Sequence, residues 1–187
     1  MNRSARTSSQ PGMATFLAEV GVAAALSFIL SRLKVYQMPQ GGSVSLEALP
    51  VLYVAFMRGA KQGVAAGFVT GILQMLLGGY VMHPIQAMLD YPIASLVVGL
   101  APIFAVSRGT LGVIIGTIGA FALQLISFTL SGAVFFAEYA PEGVSPWAYS
   151  VGYNASYLVP ELIISAIVIA YLVSRSSVAR GSARHRG

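Results

Sequence analysis

The sequence predicts an all-α integral membrane protein in which six transmembrane helices form one bundle and both termini are cytoplasmic. Composition predicts the class, because 56% of the 187 residues are hydrophobic and 9% are charged, whereas a soluble domain carries about 25% charged residues. The length of the apolar runs predicts the helices, since each crossing of the hydrocarbon core needs roughly 20 mostly apolar residues. The chain is therefore expected to be a multi-pass protein of the cell membrane.

Six apolar segments satisfy this requirement as helices, the form in which a single spanning segment bonds its own backbone. The second is short and contains Pro50, and the first contains Glu19 and lacks the small-residue cleavage site of a secretory leader. We expect a cytoplasmic tail over 1–12, a membrane domain over 13–174 and a basic cytoplasmic tail over 175–187. The predicted spans are 13–33, 44–57, 60–77, 84–106, 110–137 and 148–174.

The basic residues predict the orientation of these spans. With both termini inside, only Arg32 and Lys34 of the 11 basic residues lie outside, as expected when cytoplasmic segments carry the excess of Lys and Arg. The C-terminal run RSSVARGSARHRG is expected to anchor the topology in contact with anionic lipid, and a specific partner site is the alternative. The residues placed inside are Arg3, Arg6, Arg58, Lys61, Arg108, Arg175, Arg180, Arg184 and Arg186.

Small residues recur four positions apart in three of the predicted helices. Lipid gives no hydrophobic drive for helices to associate, so close backbone contact at such ridges supplies packing energy. We expect the ridges to pack the bundle, or one of them to dock a second membrane subunit. The ridges comprise Gly59, Gly63, Gly67 and Gly71 in the third span, Gly112, Gly116 and Ala120 in the fifth, and Gly21 and Ala25 in the first.

Three acidic residues, Glu19, Asp90 and Glu161, fall inside predicted spans. A charge at membrane depth costs about 2.5–3.5 kcal/mol on insertion scales, so each one needs a partner or a function. In HPIQAMLDYP, His83, Gln86 and Asp90 lie at i, i+3 and i+7, which places them on one helical stripe. The stripe is either satisfied inside the bundle or, as we expect, forms the wall of an outward-facing pocket.

Aromatic residues gather between the fifth and sixth predicted spans, where they usually form an interfacial belt. Asn154 is less easily explained in this way, because an amide inside a span needs hydrogen-bond partners. Tyr153, Tyr157 and Glu161 share one helix face at i, i+4 and i+8. Tyr149 and Asn154 are five residues apart and are expected to converge only if the helix starts irregularly between them.

A buried carboxylate, several aromatic faces and an amide together describe a site for a flat, cationic, hydrogen-bonding small molecule. A cation held over aromatic rings gains about 2 kcal/mol or more when desolvated. The sequence contains no cysteine, no GxxxxGKS/T and no HExxH, and His83 and His185 are too far apart for a zinc site. We therefore predict no enzymatic activity, no metal and, because the net charge of +5 forms no basic face, no nucleic-acid partner.

Three long stretches carry a resemblance to a known family. They are MPQGGSVSLEALPVLYVAFMRGAKQGVAAGF, LGGYVMHPIQAMLDYP and SGAVFFAEYAPEGVSPWAYSVGYNASYLVPE, and in this order they resemble thiamine-binding S components, of the ThiT type, from energy-coupling-factor (ECF) vitamin transporters. The resemblance implies six transmembrane helices, no enzymatic activity and capture of thiamine near the outer face. It also implies delivery through a separate transmembrane coupling subunit and two ATPase subunits that use ATP, with no cofactor in this chain.

The resemblance implies a set of substrate-binding residues. Asp90, beside Tyr91 in LDYP, matches the acid that meets the cationic ligand. Phe136 stands where some members have tryptophan, and Phe128 where they often have histidine, so an aromatic face is kept and an imidazole hydrogen bond is lost. Further matching positions are Tyr80, Gly132, Tyr149 and Asn154, and we add His83 and Gln86 from the polar stripe and Trp147 from the aromatic segment.

Two further features are implied by the same resemblance. Gly21 and Ala25 match the small-residue ridge with which the first helix of the family docks onto the coupling subunit. The loop 35–43 resembles the lid over the site, and Gly41 and Gly42 would allow it to close.

Three alternatives stay open on the sequence. The chain is expected to be an S component for thiamine, but an S component for another vitamin or for a thiamine precursor has the same overall pattern. A solitary proton-coupled carrier would use Asp90 as its proton site. A membrane scaffold without a ligand is the third alternative.

Overall fold

The computed structural model describes residues 12–107 and 109–184, with side chains as far as residue 176. The protein is mostly helical. Its helices are α1 (Met13–Arg32), α2 (Ala48–Arg58), α3 (Ala60–Leu76), α4 (Pro84–Val98), α5 (Thr110–Phe135) and α6 (Pro146–Arg184). Some predictions concern parts of the chain outside the described residues. They are those for Arg3, Arg6, Arg108, His185 and Arg186, for nearly all of the 1–12 tail, and for the side chains of Arg180 and Arg184.

Within the described residues, three helices are long and apolar enough to cross a membrane: α1, α5 and the 146–176 portion of α6. The others are shorter, with 11 residues in α2 and 17 in α3. The predicted second span begins too early, because its first residue belongs to a strand and the helix starts at Ala48. The sixth predicted span, 148–174, lies within α6, which continues to Arg184.

Helix α4 is irregular, and its sequence explains why. His83 caps its first turn by accepting a hydrogen bond from the backbone N–H of Ile85 through Nδ1, and Pro84 occupies the first helical position, where a missing N–H costs nothing. Around Pro92 the helix widens into a π-turn over Leu89–Ile93. The hydroxyl of Ser127 on α5 donates to the carbonyl of Leu89 at 2.7 Å, so a neighbouring helix satisfies part of the disturbed backbone.

The glycine ridge of α3 packs directly on α4, as predicted. A Cβ atom added at Gly67 would lie 2.2 Å from the carbonyl oxygen of Ser95, and one at Gly71 would lie 2.4 Å from that of Tyr91. Gly59 is the exception, because it ends α2 with φ of +110° and its added Cβ would meet little. Gly59 therefore makes the turn between α2 and α3, while the rest of the ridge brings two backbones together.

The ridge on α1 is used differently. Gly21 has no atom within 4 Å of an added Cβ, and it lies with Ala25 on an exposed face of α1. Val22, Leu26 and Ile29 on the same helix are about half exposed or more. This ridge therefore packs nothing within the described part of the chain, in contrast to the ridges of α3 and α5.

The two ends of the bundle carry different groups. At one end Tyr36–Gln37 (β1) pairs antiparallel with Ser43–Val44 (β2), forming a hairpin, and Arg32 at the end of α1 donates to the carbonyl of Leu77. At the opposite end Arg58 forms an ion pair with Glu19. The bundle thus has a hairpin end and an ion-pair end.

Candidate functional site

A cavity of about 620 Å³ lies beneath the hairpin, between the hairpin-side halves of the helices. Eight of the ten predicted substrate-binding residues line it: Tyr80, Gln86, Asp90, Tyr91, Gly132, Phe136, Tyr149 and Asn154. The volume is in the range of pockets that take small organic ligands. The structure therefore brings most of the residues singled out in the sequence to one place.

His83 and Trp147 are not part of the cavity lining. His83 caps α4, and its ring stacks on Phe135 with 5.0 Å between ring centroids. Trp147 lies in the first turn of α6 and is 51% exposed. The predicted polar stripe therefore contributes to the cavity from Gln86 onward, while its first member is occupied in shaping the helix.

Asp90 is held by a buried glutamine. Gln86 donates from Nε2 to Oδ2 of Asp90 at 2.6 Å and to the carbonyl of Tyr80 at 3.1 Å, and its Oε1 accepts from the N–H of Met82 at 3.1 Å. The ion pairs formed by the described side chains at 4.0 Å or less do not include Asp90. The carboxyl group of Asp90 is thus oriented by a neutral donor and is not neutralised by a salt bridge.

Aromatic rings form the rim of the cavity. The hydroxyl of Tyr91 accepts from the N–H of Tyr80 at 2.6 Å and donates to its carbonyl at 3.2 Å, which fixes the segment before α4. Phe136 stacks on Tyr139 at 6.1 Å and faces Tyr80 at 6.3 Å between ring centroids. These rings offer flat faces in the cavity that Asp90 also lines, as a stacking ligand requires.

One wall of the cavity is a face of α6. Tyr153, Tyr157 and Glu161 all line it, which confirms that they share a face. No irregular start is needed to bring Tyr149 and Asn154 to the cavity, because α6 is continuous from Pro146 and Tyr149 donates its N–H to the carbonyl of Ser145 at 3.0 Å. Tyr149 and Asn154 both reach the cavity because the wall spans a wide sector of the helix.

Asn154 is bonded within its own helix. Its Nδ2 donates to the carbonyl of Ser150 at 2.8 Å and to the Ser150 hydroxyl at 3.2 Å, while its Oδ1 accepts from the Tyr157 hydroxyl at 2.6 Å. Gly132 on α5 allows this arrangement, since a Cβ there would lie 2.2 Å from Oγ of Ser150. Asn154 therefore fixes Tyr157, and its amide hydrogens are already used.

Tyr157 also faces Phe128, with 6.3 Å between ring centroids, and Phe128 lines the cavity. The position where the family resemblance expected a histidine is thus an aromatic face of the wall. It offers stacking contact and no hydrogen bond.

The hairpin covers the cavity and is attached to α6. The hydroxyl of Tyr153 donates to the carbonyl of Gly41 at 2.9 Å and accepts from the N–H of Gln40 at 3.1 Å. Gly42 has φ of +64°, and a Cβ there would lie 2.5 Å from the ring of Tyr157. The loop predicted to be a lid is therefore a hairpin seated on two tyrosines of α6, at a position that only glycine fits.

The structure adds a group of residues that the sequence did not single out together. Glu47, Gln74 and Gln124 line the cavity with Glu161. Glu47 falls near the start of the predicted second span, 44–57. Glu47 is 27 residues from Gln74 and more than one hundred from Glu161, so no local sequence pattern connects these residues.

Glu19 and Glu161, two of the three acids inside predicted spans, lie in different surroundings. Glu19 contacts Arg58 at the ion-pair end of the bundle and does not line the cavity. Glu161 is 5% exposed, lines the cavity and accepts a hydrogen bond from the hydroxyl of Ser45 at 3.3 Å. Only Glu161 belongs to the site.

The groups that line the cavity indicate what kind of ligand it can bind. Within the described residues no group of three or more His, Cys, Asp and Glu side chains is placed to hold a metal ion. The cavity combines carboxylates with aromatic faces, while Arg32 and Lys34 lie in its wall beside the hairpin. A flat ligand that carries positive charge and hydrogen-bond donors fits these groups.

Comparison with known proteins identifies the family. A family model described as "Thiamine transporter protein (Thia_YuaJ)" matches residues 17–180. The chain belongs to this thiamine transporter family. Among curated relatives, the thiamine transporter ThiT of Bacillus subtilis (strain 168) is 36% identical over 170 residues, which cover 83% of this chain and 88% of the relative. ThiT of Lacticaseibacillus paracasei is 34% identical over 145 residues, covering 67% and 70%.

Solved structures share the fold. A structure of ThiT from Listeria monocytogenes aligns with a TM-score of 0.79 and 22% identity, covering 88% of this chain and 96% of that one. The S component of a bacterial ECF transporter aligns with a TM-score of 0.57 and 18% identity, covering 90% and 96%. The predicted family is confirmed, and membership in a transporter family agrees with the prediction that the chain is a multi-pass membrane protein and not an enzyme.

Proposed function

We propose that this chain is the substrate-capture subunit of an ATP-driven vitamin importer, binding thiamine in an outward-facing cavity and delivering it through an ECF coupling module. The observation that carries the proposal is Asp90, a carboxylate oriented by Gln86 and without a salt bridge among the described residues, in a cavity rimmed by aromatic rings. Membership in the thiamine transporter family supports the same substrate.

The charge of thiamine explains why this site suits it. Its thiazolium ring carries a permanent positive charge, so it neutralises Asp90 without any proton transfer. An isolated buried carboxylate is unfavourable, and a paired one is much less so. Tyr91, Phe136 and Tyr80 line the same cavity as Asp90, and their flat faces add stacking and cation–π attraction.

The remaining predicted residues are assigned roles that agree with their contacts. Tyr149 and Asn154 contact the aminopyrimidine ring, with Asn154 using its Oδ1 and the ring lying against the α6 wall. Gly132 leaves room for this contact. His83 acts through the start of α4, and Trp147 lies at the edge of the site.

The assembly is proposed as follows. The chain crosses the membrane six times with both termini in the cytoplasm, so that the hairpin end faces outward and the ion-pair end inward. The exposed ridge of Gly21 and Ala25 docks on the transmembrane coupling subunit, and two ATPase subunits supply the energy. The absence of any neighbour at Gly21 within the described residues supports a docking role. Basic residues at the inner end contact anionic lipid.

Calorimetric titration of the purified full-length protein with thiamine tests the function. We expect saturable binding of one thiamine per chain at micromolar or lower concentration, and no heat with riboflavin. Calorimetry is preferred to tryptophan quenching, because the single tryptophan, Trp147, does not line the cavity. A protein that is monodisperse and yet gives no heat with thiamine contradicts the proposal.

Competition and uptake separate the alternatives. If the free pyrimidine moiety displaces thiamine at an equal or lower concentration, a precursor is the substrate. Uptake in cells that lack the coupling subunit and the ATPases distinguishes the solitary carrier. Accumulation that persists in those cells supports the carrier, and accumulation that disappears supports the S component.

A further inference from the structure

The start of α3, at the ion-pair end of the bundle, presents backbone donors that its own helix does not use. The helix has 17 residues, its N-cap Gly59 has no side chain to bond the first turn, and that turn contains no acidic residue. The first backbone bond of the helix runs from the N–H of Gly63 to the carbonyl of Gly59 at 3.2 Å, so the N–H groups of residues 60–62 precede it. These groups and the helix dipole favour an anion at this point.

Gln62, in the first turn of α3, is an independent sign that a ligand belongs here. Its side chain is only 8% exposed, and it forms no hydrogen bond with the described residues. Its amide turns back to the start of the helix, with Oε1 at 3.8 Å from the position of a Cβ on Gly59. Buried amides almost always have hydrogen-bond partners, so this one is placed for a group outside the described chain.

A purely structural role as a helix cap does not account for Gln62. A glutamine three residues after the N-cap can bond the backbone N–H of the N-cap residue. The N–H of Gly59, however, already donates to the carbonyl of Ala55 at 2.8 Å. The amide of Gln62 therefore has no donor to cap and stays available.

Two cations stand on either side of this turn. Arg58 pairs with Glu19, but its side chain is 47% exposed, and a guanidinium has five N–H donors, of which a single carboxylate oxygen cannot use all. Lys61 is exposed, and its ammonium lies 5.9 Å from the ring centroid of Phe16. The ion pairs that the described side chains form within 4.0 Å do not include Lys61.

Glu19 is the acidic residue of this cluster, and it does not cancel the positive charge. Its Oε1 contacts Arg58, and its Oε2 is buried without a hydrogen-bond partner among the described residues. The exposed side of the cluster therefore presents the two cations and the helix N-terminus. The cluster has a net positive charge and suits an anion.

The surface next to the cluster favours a lipid over a free anion. Val64, Ala65 and Phe68 follow Lys61 at i+3, i+4 and i+7, which places them on the same face of α3. Phe68 is 43% exposed. An apolar face thus runs along the helix from the ammonium group. A phospholipid has a phosphate next to acyl chains and can use both parts of this surface, whereas inorganic phosphate can use only the first.

We infer that the start of α3, with Arg58, Lys61 and Gln62, binds the phosphate group of an anionic phospholipid. The N–H groups of residues 60–62 and the amide of Gln62 donate to the phosphate oxygens, the two cations pair with its charge, and an acyl chain lies along Phe68. The inference goes beyond the general contact of basic residues with lipid, because it assigns a definite site. It does not depend on the ligand of the cavity.

Native mass spectrometry of the full-length protein in detergent tests the site. The protein is titrated with dioleoyl phosphatidylglycerol and, for comparison, with dioleoyl phosphatidylcholine, and inorganic phosphate is added as a competitor. The variants are Lys61→Gln and Gln62→Glu. Arg175→Gln is the matched control, because Arg175 is an exposed cation on α6, stacked over Tyr171 at 5.4 Å. All three substitutions make the net charge less positive by the same amount.

Gln62→Glu separates a binding role from a structural one. A carboxylate in the first turn of a helix interacts favourably with the helix dipole, so a merely structural role predicts unchanged lipid binding. At a phosphate site, the same carboxylate repels the ligand. Thermal unfolding and gel filtration check that each variant is folded, and if Gln62→Glu does not fold, Lys61→Gln decides, because Lys61 is exposed.

We expect the dissociation constant for phosphatidylglycerol to rise about fivefold or more in Lys61→Gln and Gln62→Glu, the usual effect of one charge beside an anionic lipid. Arg175→Gln should change it less than about twofold, and phosphatidylcholine should bind about fivefold more weakly than phosphatidylglycerol. The inference is overturned if Arg175→Gln weakens binding as much as the other two variants, or if the two lipids bind equally. Displacement of the lipid by inorganic phosphate would also overturn it, since free phosphate would then be the ligand.

Discussion

Two carboxylates in the same bundle, Asp90 and Glu19, show how differently a membrane helix can accommodate an acid. Glu19 at the ion-pair end contacts a guanidinium group, that of Arg58. Asp90 at the hairpin end receives a hydrogen bond from the neutral amide of Gln86 and faces a cavity. Both occur in apolar runs, and only their surroundings separate them. The charge of an acid paired with a base is neutralised within the fold, whereas an acid paired with an amide is left to be neutralised by a ligand.

The largest effect is expected from Asp90→Asn. The amide keeps the size and most hydrogen bonds of the carboxylate and removes its charge, so we expect thiamine affinity to fall by about tenfold or more, in line with a lost charged contact. Titration calorimetry measures this. Equal affinity in the variant would show that Asp90 is not the counter-charge of the ligand. Asp90 and Glu19 would then not differ in their effect on binding.

A smaller loss is expected from Gln86→Leu. Gln86 is 1% exposed and holds both Asp90 and the segment before α4. Removing its donor leaves the carboxylate misoriented, with an expected loss of about fivefold in thiamine affinity. Gln62→Leu is the control, since Gln62 is also buried but lies outside the cavity lining. Equal effects of the two changes would attribute the loss to general destabilisation.

A kinetic effect is expected from Tyr153→Phe. The variant loses the hydroxyl that bonds Gln40 and Gly41 of the hairpin, so we expect thiamine to dissociate about three- to fivefold faster, as for the loss of ordinary hydrogen bonds. Stopped-flow displacement measures the rate. Tyr53→Phe, which removes a hydroxyl near Ser176 at the far end of the bundle, should leave the rate unchanged. An unchanged rate in Tyr153→Phe would show that the hairpin does not control release.

The smallest effect is expected from Glu19→Gln. The ion pair with Arg58 is partly exposed on its basic side, and such pairs contribute about 0–1 kcal/mol. Thiamine affinity should stay within about twofold of the wild-type value, because the ion pair contributes to stability and its two residues do not line the cavity. A loss comparable to that of Asp90→Asn would erase the distinction between the two acids.

Several features could be predicted from sequence because they depend on local periodicity. The apolar runs, the glycine ridge of α3, and the shared face of Tyr153, Tyr157 and Glu161 follow from spacing within one helix. Eight of the ten predicted binding residues also meet at the cavity. Gly59 was misjudged as part of the packing ridge, because a turn leaves little trace in the spacing of residues.

The sequence by itself determined the class of the protein, the order of its apolar segments and the aromatic and acidic residues available for a site. Those properties depend on composition and on neighbours within a few residues. Tertiary structure alone decided that Glu19 meets Arg58, that Gly21 and Ala25 stay exposed, and that Glu47, Gln124 and Glu161 line one cavity. Such partners lie on different helices, so their distances are set by backbone packing at the glycine ridges and by no pattern along the chain.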